Sequence, residues 1–326
     1  MLSEPNQPSE PQLSSPLQIR FGPAGWSYRD WRGHVYPERP PRSFRPLQLL
    51  ATLFDTLEVN ATFYRDFPTG QLAKWCDQVA AFPDFRWCFK LHQRFSHQGE
   101  VPTPDTLFQA LDVYEPVRER GRLGALLLQF PWSLRCTDTN RQRIQDLLAT
   151  ARQAAWPLVV EIRHGSWDIG PAVFPPVICD QPLLRGNLTC DQALTAALAT
   201  QTEAAGPGYI RLHGRNGRAW FDAEAGRDER YNYLYSAAER QDWLARLQRL
   251  SQESPATTSL YFIANNHFHG QAVVDALLMQ QLWNGRQPEL PRELVQAYPR
   301  ELGDFPIRSD SADESSGKSP EPPTLF

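Results

Sequence analysis

Basic, acidic and amide side chains in this chain collect at the ends of short apolar runs. The clearest case is YIRLHGRN (Tyr209–Asn216), where β-favouring residues lead into His213, Gly214, Arg215 and Asn216. Similar endings occur in LEVN (57–60), CFK (88–90), LLLQ (126–129), VVEIRH (159–164) and FIANNH (262–267). A β-run that ends in polar groups is how α/β enzymes present chemistry at the carboxyl edge of a sheet. Six such endings predict one site assembled from several strands.

The residue types suggest what that site could do. Glu58 and Asn60 stand two apart and share a strand face, as do Glu161 and Arg163. If both pairs point inward, Glu58 and Glu161 could serve as acid and base or as metal ligands. The alternative is that each satisfies a buried arginine such as Arg163 or Arg211. Lys90, Arg163, Arg211 and Arg215 at strand ends suit an anionic ligand, arginine binding phosphate or carboxylate through paired N–H donors. The competing arrangement is an internal ion-pair network with Glu58, Glu161 and Asp180. His213 and His267 are candidates for proton transfer, and Gln129, Asn216, Asn265 and Asn266 for orienting a polar substrate. HFH (267–269) is the nearest approach to a metal-binding pair, so a divalent metal stays open and no cofactor is predicted. Trp26, Tyr28, Trp31, Tyr36, Phe63, Tyr64, Trp167, Trp220, Phe221, Tyr231, Tyr233 and Tyr235 fall in loops that would either stack on a ring or fold back over the mouth, with 214–235 as the lid candidate. No GxSxG occurs, and Cys88, on the face of Lys90, reads as buried packing.

The elements that must position these groups alternate. β-runs are expected near 18–24, 55–60, 85–91, 124–129, 158–163, 176–180, 208–213 and 259–265, most of them nearly all apolar, as in strands covered on both faces. Amphipathic helical pattern lies at Gln71–Ala80, Thr106–Arg120, Asn140–Gln153, Gln192–Glu203, Ala237–Gln252 and Gln271–Leu282, with Thr103, Thr139 and Ser236 as N-caps. Eight such units favour a single (β/α)8 TIM-type barrel at 17–307, irregular around the fifth and sixth units, where Gly165, Gly170, Pro171 and Pro175 leave no room for a normal crossover helix. No GxGxxG or GxxxxGK[ST] appears, which removes the support for a dinucleotide fold or a P-loop. Residues 1–16 and 308–326, rich in Pro, Ser and Glu, read as disordered tails.

Composition bounds the function. The net charge of −4 argues against a surface that coats nucleic acid, though not against a local basic pocket. Five cysteines without a CxxC pair fit buried thiols in a reducing compartment. Neither a membrane span nor a signal peptide is legible, so the chain is expected to be soluble and cytoplasmic, without a membrane partner; its oligomeric state is left open.

Seven segments in register resemble the YecE-like family, also called domain of unknown function 72: GPAGWSYRDWRG (22–33), LEVNATFYR (57–65), FKLHQRFSH (89–97), LGALLLQFPWS (123–133), VVEIRHGSW (159–167), YIRLHGRN (209–216) and YFIANNHFHGQAVVDAL (261–277). They span roughly residues 18 to 283. The resemblance implies a TIM-type barrel and brings no established reaction. The chain departs from the family between Trp167 and Asp180, which looks shortened, and at Lys90–His92, where the family has Lys-Ala-Pro. The composition of the strand ends, and not the resemblance, sets the expectation of an enzyme of hydrolase or lyase type acting on an anionic, phosphate-bearing or nucleotide-like substrate. The alternatives are a glycoside hydrolase-like enzyme and a non-catalytic nucleic-acid or anion-binding protein.

Overall fold

Runs such as Leu123–Gln129 and Ser259–Ala264 carry apolar residues at consecutive positions, so each needs cover on both faces. The computed structural model, which describes residues 17–97, 101–168, 177–181, 193, 206–222, 224, 226–253 and 259–309, supplies that cover. The architecture is α/β, with two four-stranded sheets in which every neighbouring pair is parallel. β1 (Gln18–Pro23), β8 (Ser259–Ala264), β7 (Gly208–Leu212) and β6 (Ile178–Asp180) lie side by side in that order. β2 (Thr56–Val59), β3 (Arg86–Lys90), β4 (Leu123–Gln129) and β5 (Leu158–Glu161) form the second sheet. The two sheets approach at two seams. At one, Ala24 bridges Glu58 in parallel and Gly25 N–H donates to the Glu58 carbonyl (2.8 Å). At the other, Val177 N–H donates to the Val160 carbonyl (3.0 Å).

All eight expected β-runs are present, the fifth ending early at Glu161 and the sixth starting late at Ile178. Alternation along them separates two apolar clusters. Cys88, Leu127, Val159, Cys179, Tyr209 and Ile263, drawn from both sheets, pack with one another in an inner cluster. Trp87, Phe89, Leu128, Ile210 and Phe262, of the opposite parity, join the larger core shared with the helices. Carried to the strand ends, the inner parity includes Glu58, Lys90, Gln129, Glu161 and Arg211. That parity is why these polar groups meet.

The outer helices include Pro46–Leu53, Thr69–Gln78, Asp138–Gln153, Ala237–Glu253 and Gln271–Asn284. Thr103 caps as expected, accepting from Thr106 N–H (3.4 Å). Ser236 and Glu239 cap reciprocally: Ser236 Oγ accepts from Glu239 N–H (3.3 Å) and Glu239 Oε2 from Ser236 N–H (2.8 Å). The expected cap at Thr139 moves to Thr137, which accepts from Asn140 N–H (3.1 Å), because the helix already begins at Asp138. The single helix expected over Thr106–Arg120 is instead Pro104–Phe108, a 3-10 turn Leu111–Tyr114 and Glu115–Glu119. Pro116 sits in the first turn of the last piece, the one helical position where its missing N–H costs nothing.

Arg308, expected to open the C-terminal tail, donates through its backbone to Leu290 O (2.9 Å) and through Nη2 to Thr52 Oγ1 (2.9 Å). Most of the expected helix Gln192–Glu203, the stretch 169–176 and the segments 1–16 and 310–326 lie outside the described residues. Among the described residues no helix is long and apolar enough to cross a membrane.

Candidate active site

Arg211, only 1% exposed, ties the two sheets together from the inner face of β7. Its Nε and Nη2 donate to Glu58 Oε2 and Oε1 on β2 (2.9 and 2.6 Å). Its Nη1 donates to Glu161 Oε2 on β5 (2.8 Å) and to Gln129 Oε1 on β4 (3.2 Å). The Tyr209 hydroxyl adds a donor to Glu58 Oε2 (2.9 Å). Arg163 curls back just past β5, and its Nε and Nη2 reach Glu161 Oε1 (2.8 and 2.7 Å). Every oxygen of both carboxylates is therefore engaged, the arrangement a buried ion network needs to survive its desolvation cost. Burial alone would raise the Glu161 carboxyl, but Arg163, Arg211, His213 and Lys90 together hold it well below the usual carboxylate range. Glu161 is thus a fixed anion at neutral pH, and the geometry of Glu58 and Glu161 is that of ion-pair partners to Arg211.

A cavity of about 500 Å³ opens above this network, with Gln129, Arg163 and Arg211 in its wall. Lys90, the last residue of β3, also lines it. Its Nζ lies 3.6 Å from the centroid of the Phe63 ring, and among the described residues no hydrogen bond or ion pair engages that nitrogen. Burial first, and then the neighbouring Arg211 charge, push the Lys90 amine down to about 7. Arg163 Nη1 is the nitrogen of that side chain that Glu161 leaves unused.

His213 is part of the same wall. Its Nε2 lies 3.4 Å from Arg211 Nη1 and its Nδ1 is 2.9 Å from Asn265 Nδ2, while Asn60 Nδ2 donates to Asn265 Oδ1 (3.0 Å). Burial and then the Arg211 charge hold the His213 imidazole well below its ordinary pKa, so it is neutral at pH 7. His267 lies elsewhere on the wall, stacked on Tyr28 (4.4 Å between centroids, 5° between planes) and tilted against Tyr231 at 4.9 Å.

Three expected substrate contacts, Arg215, Asn216 and Asn266, are engaged away from this cavity. Asp180 ends β6 and faces outward, where Arg215 grips it through Nε (3.0 Å) and Nη2 (2.7 Å). Trp243 Nε1 donates to the same carboxylate (2.9 Å), and Arg215 Nη1 reaches Glu239 (2.9 Å). Asn216 caps the short helix Gly217–Phe221 and donates to the carbonyls of Glu229 and Asn232. Asn266 donates to Tyr233 O and to buried Asp275 (both 2.7 Å). The reason is local. β7 ends at Leu212, and Gly214 then turns at φ 85, where a Cβ would stand 2.7 Å from that of Tyr233. Strand alternation no longer governs the residues beyond that turn.

Among the described residues, Glu161, Cys179 and His213 bring ligand atoms within 4.8 Å of one another. Their chemistry does not fit a divalent ion: the Glu161 oxygens already receive guanidinium donors, and burial pushes the Cys179 thiol well above its ordinary pKa. Cys88, pushed up to about 12 by burial, is no thiolate either.

His97 was not singled out by the sequence as a site residue, yet it lines the cavity with its ring 5.1 Å from that of Phe63. Burial, then the charges of Lys90 and Arg163, lower its pKa. Its signals were its place in FKLHQRFSH and its membership of the six histidines near strand ends, neither of which assigned it a role. Tyr28 and Tyr231 sat in loops without periodicity, so sequence could not say whether they faced the site.

The family profile described as Protein of unknown function DUF72 matches residues 20–299. The UPF0759 protein YunF of Bacillus subtilis (strain 168) is 26% identical over 296 residues, covering 85% of this chain and 99% of that protein. A crystal structure of a DUF72 family protein from Thermotoga maritima shares 27% identity at a TM-score of 0.62, covering 81% of this chain and 98% of the other. One from Enterococcus faecalis shares 25% identity at a TM-score of 0.63, covering 82% and 96%. With a matched region that takes in all eight strands but the first residues of β1, the chain belongs to the DUF72 family.

Proposed function

We propose that the eight strands close into one (β/α)8 barrel and that the cavity is the active site of an enzyme acting on an anionic small molecule. The two seams between the sheets and the inner cluster fed by both support closure. The observation that carries the functional reading is the pair of basic groups on one wall, a charged Arg163 and a Lys90 amine that can take up a proton beside an anion. Lys90 Nζ has no anionic partner among the described residues, and Arg163 keeps Nη1 for a further acceptor. Arg211, by contrast, is spent on Glu58 and Glu161 and positions the floor. A concave pocket of this volume suits a small molecule, and the aromatic cluster of Tyr28, His267 and Tyr231 offers ring surface to its unsaturated or ring portion.

Phosphate-bearing or nucleotide-like compounds fit that description, with lyase chemistry ahead of hydrolysis. A glycoside hydrolase needs one free carboxylic acid and one free carboxylate, and Glu58 and Glu161 are both locked into ion pairs. Extended nucleic acid would call for a groove, and the site is a pocket.

Inorganic phosphate tests the reading. At ten times its dissociation constant it should stabilise the chain by about 1.4 kcal/mol, a melting-temperature rise of roughly 3–6 °C for a domain of this size. Arg163→Leu should abolish that rise. An equal rise in both proteins, or none in the wild type, would sink the proposal.

A further inference from the structure

Of the cationic side chains, 30 are arginine and three are lysine: Lys74, Lys90 and Lys318. Lys74 is exposed on the helix Thr69–Gln78, whereas Lys90 is buried at the end of β3. Where the fold needs a fixed positive charge in or near its interior it uses arginine, as in Arg211, Arg163, Arg215 and Arg240, each paired with a carboxylate. At position 90 it uses the cation that can discharge. A guanidinium keeps its proton in any protein environment, but a buried amine can lose it. Lys90 is covered by the face of Phe63; burial and the Arg211 and Arg163 charges disfavour its ammonium form and outweigh Glu161 and Glu58, which favour it. With its pKa at about 7, roughly half of the Lys90 amines are free at neutral pH. A desolvated lysine beside other cations is an activated nucleophile.

We infer that Lys90 Nζ forms an imine with an anionic carbonyl compound, an aldehyde or ketone bearing a carboxylate or phosphate that Arg163 holds in the same cavity. The inference rests on the anion-site reading above. The nitrogen lone pair attacks the carbonyl carbon, a C–N bond forms, and the π pair moves to oxygen. A proton passes from nitrogen to that oxygen to give a carbinolamine. The hydroxyl takes up a second proton and leaves as water while the nitrogen lone pair closes the C=N bond. Amine, carbonyl and one proton taken up from solvent thus become a protonated imine and water, with no oxidant or reductant. Such an imine draws electrons from a bond at the adjacent carbon, which is what lyase chemistry requires.

The test is reductive trapping. The full chain is incubated separately with pyruvate, glyoxylate and dihydroxyacetone phosphate, treated with sodium borohydride, and its peptides are weighed. At least one probe should leave a saturable adduct at Lys90, exceeding that at Lys74 or Lys318 by at least about tenfold, because only a free amine attacks. Trapping should be half-maximal near pH 7 and suppressed by inorganic phosphate. Preference among the probes tells carboxylate from phosphate recognition. Lys90→Arg, shown to be folded by its melting curve, should give no adduct at position 90. Absence of a Lys90 adduct with all three probes, or labelling no greater than at Lys74, would overturn the inference. If trapping fails while phosphate still stabilises the wild type through Arg163, imine chemistry falls and the anion site stands. If phosphate has no effect either, both fall.

Discussion

Replacing Arg211 with methionine should lower the melting temperature by roughly 10 °C, the largest loss expected from any single change at the site. The substitution removes the shared donor of Glu58 and Glu161, both fully buried, and leaves Glu58 with the Tyr209 hydroxyl alone. Removing one partner of a buried ion network costs about 3–5 kcal/mol, and each kcal/mol is worth roughly 2–4 °C in a domain of this size. Adding Glu58→Gln should recover part of the loss, since it withdraws one stranded charge. The pH dependence comes from Glu161, whose folded pKa is depressed. Its contribution is fully present above the ordinary value of 4.5 and is lost as pH falls toward the folded pKa. The Arg211→Met variant should therefore lose less stability than the wild type below that pH. A drop of less than about 2 °C would mean that the network carries little of the fold's stability.

Lys90→Met should act in the opposite direction and stabilise the protein. The amine's folded pKa of about 7 lies below its ordinary 10.5. Between those values the unfolded chain binds a proton that the folded chain does not, so wild-type stability rises with pH across that window. Below pH 7 both states carry the charge and the folded state bears the full cost of burying it. Methionine has a similar length and no charge, so at pH 6 the variant should be more stable by on the order of 4 kcal/mol. The advantage should fade as pH approaches 10.5. Urea denaturation at pH 6, 8 and 10 reads both the gain and its decline. Wild-type protein more stable than Lys90→Met at pH 6 would show that the lysine is there for the fold. A more stable Lys90→Met variant would instead support the proposal that the lysine is kept for the site and not for the fold.

The sequence made the inner face legible because strand alternation is rigid. The apolar runs predicted the strands, and parity then brought Glu58, Lys90, Gln129, Glu161 and Arg211 to one interior. It also offered the pairing of Glu58 and Glu161 with arginine, without deciding between that and acid–base work. That choice depended on where guanidinium nitrogens end up, and no pattern in sequence encodes it. Legibility ended with the strands. Beyond Leu212 the turn at Gly214 directs Arg215 to the outward face of Asp180, and beyond Ala264 the amide of Asn266 goes to Asp275. Strand period says nothing about either. The loop aromatics were hidden for the same reason: Tyr28 and Tyr231 meet His267 only through tertiary packing.

The titration of Lys90 with and without a bound anion tests the proposed site most directly. Trace labelling with acetic anhydride across pH, followed at the Lys90 peptide, reports the fraction of free amine. Half-titration is expected near pH 7 in the free protein. Saturating inorganic phosphate should move it upward, because an anion beside the amine favours its charged form. A midpoint close to the ordinary 10.5, or one near 7 that phosphate leaves in place, would contradict an anion site built around a discharged Lys90.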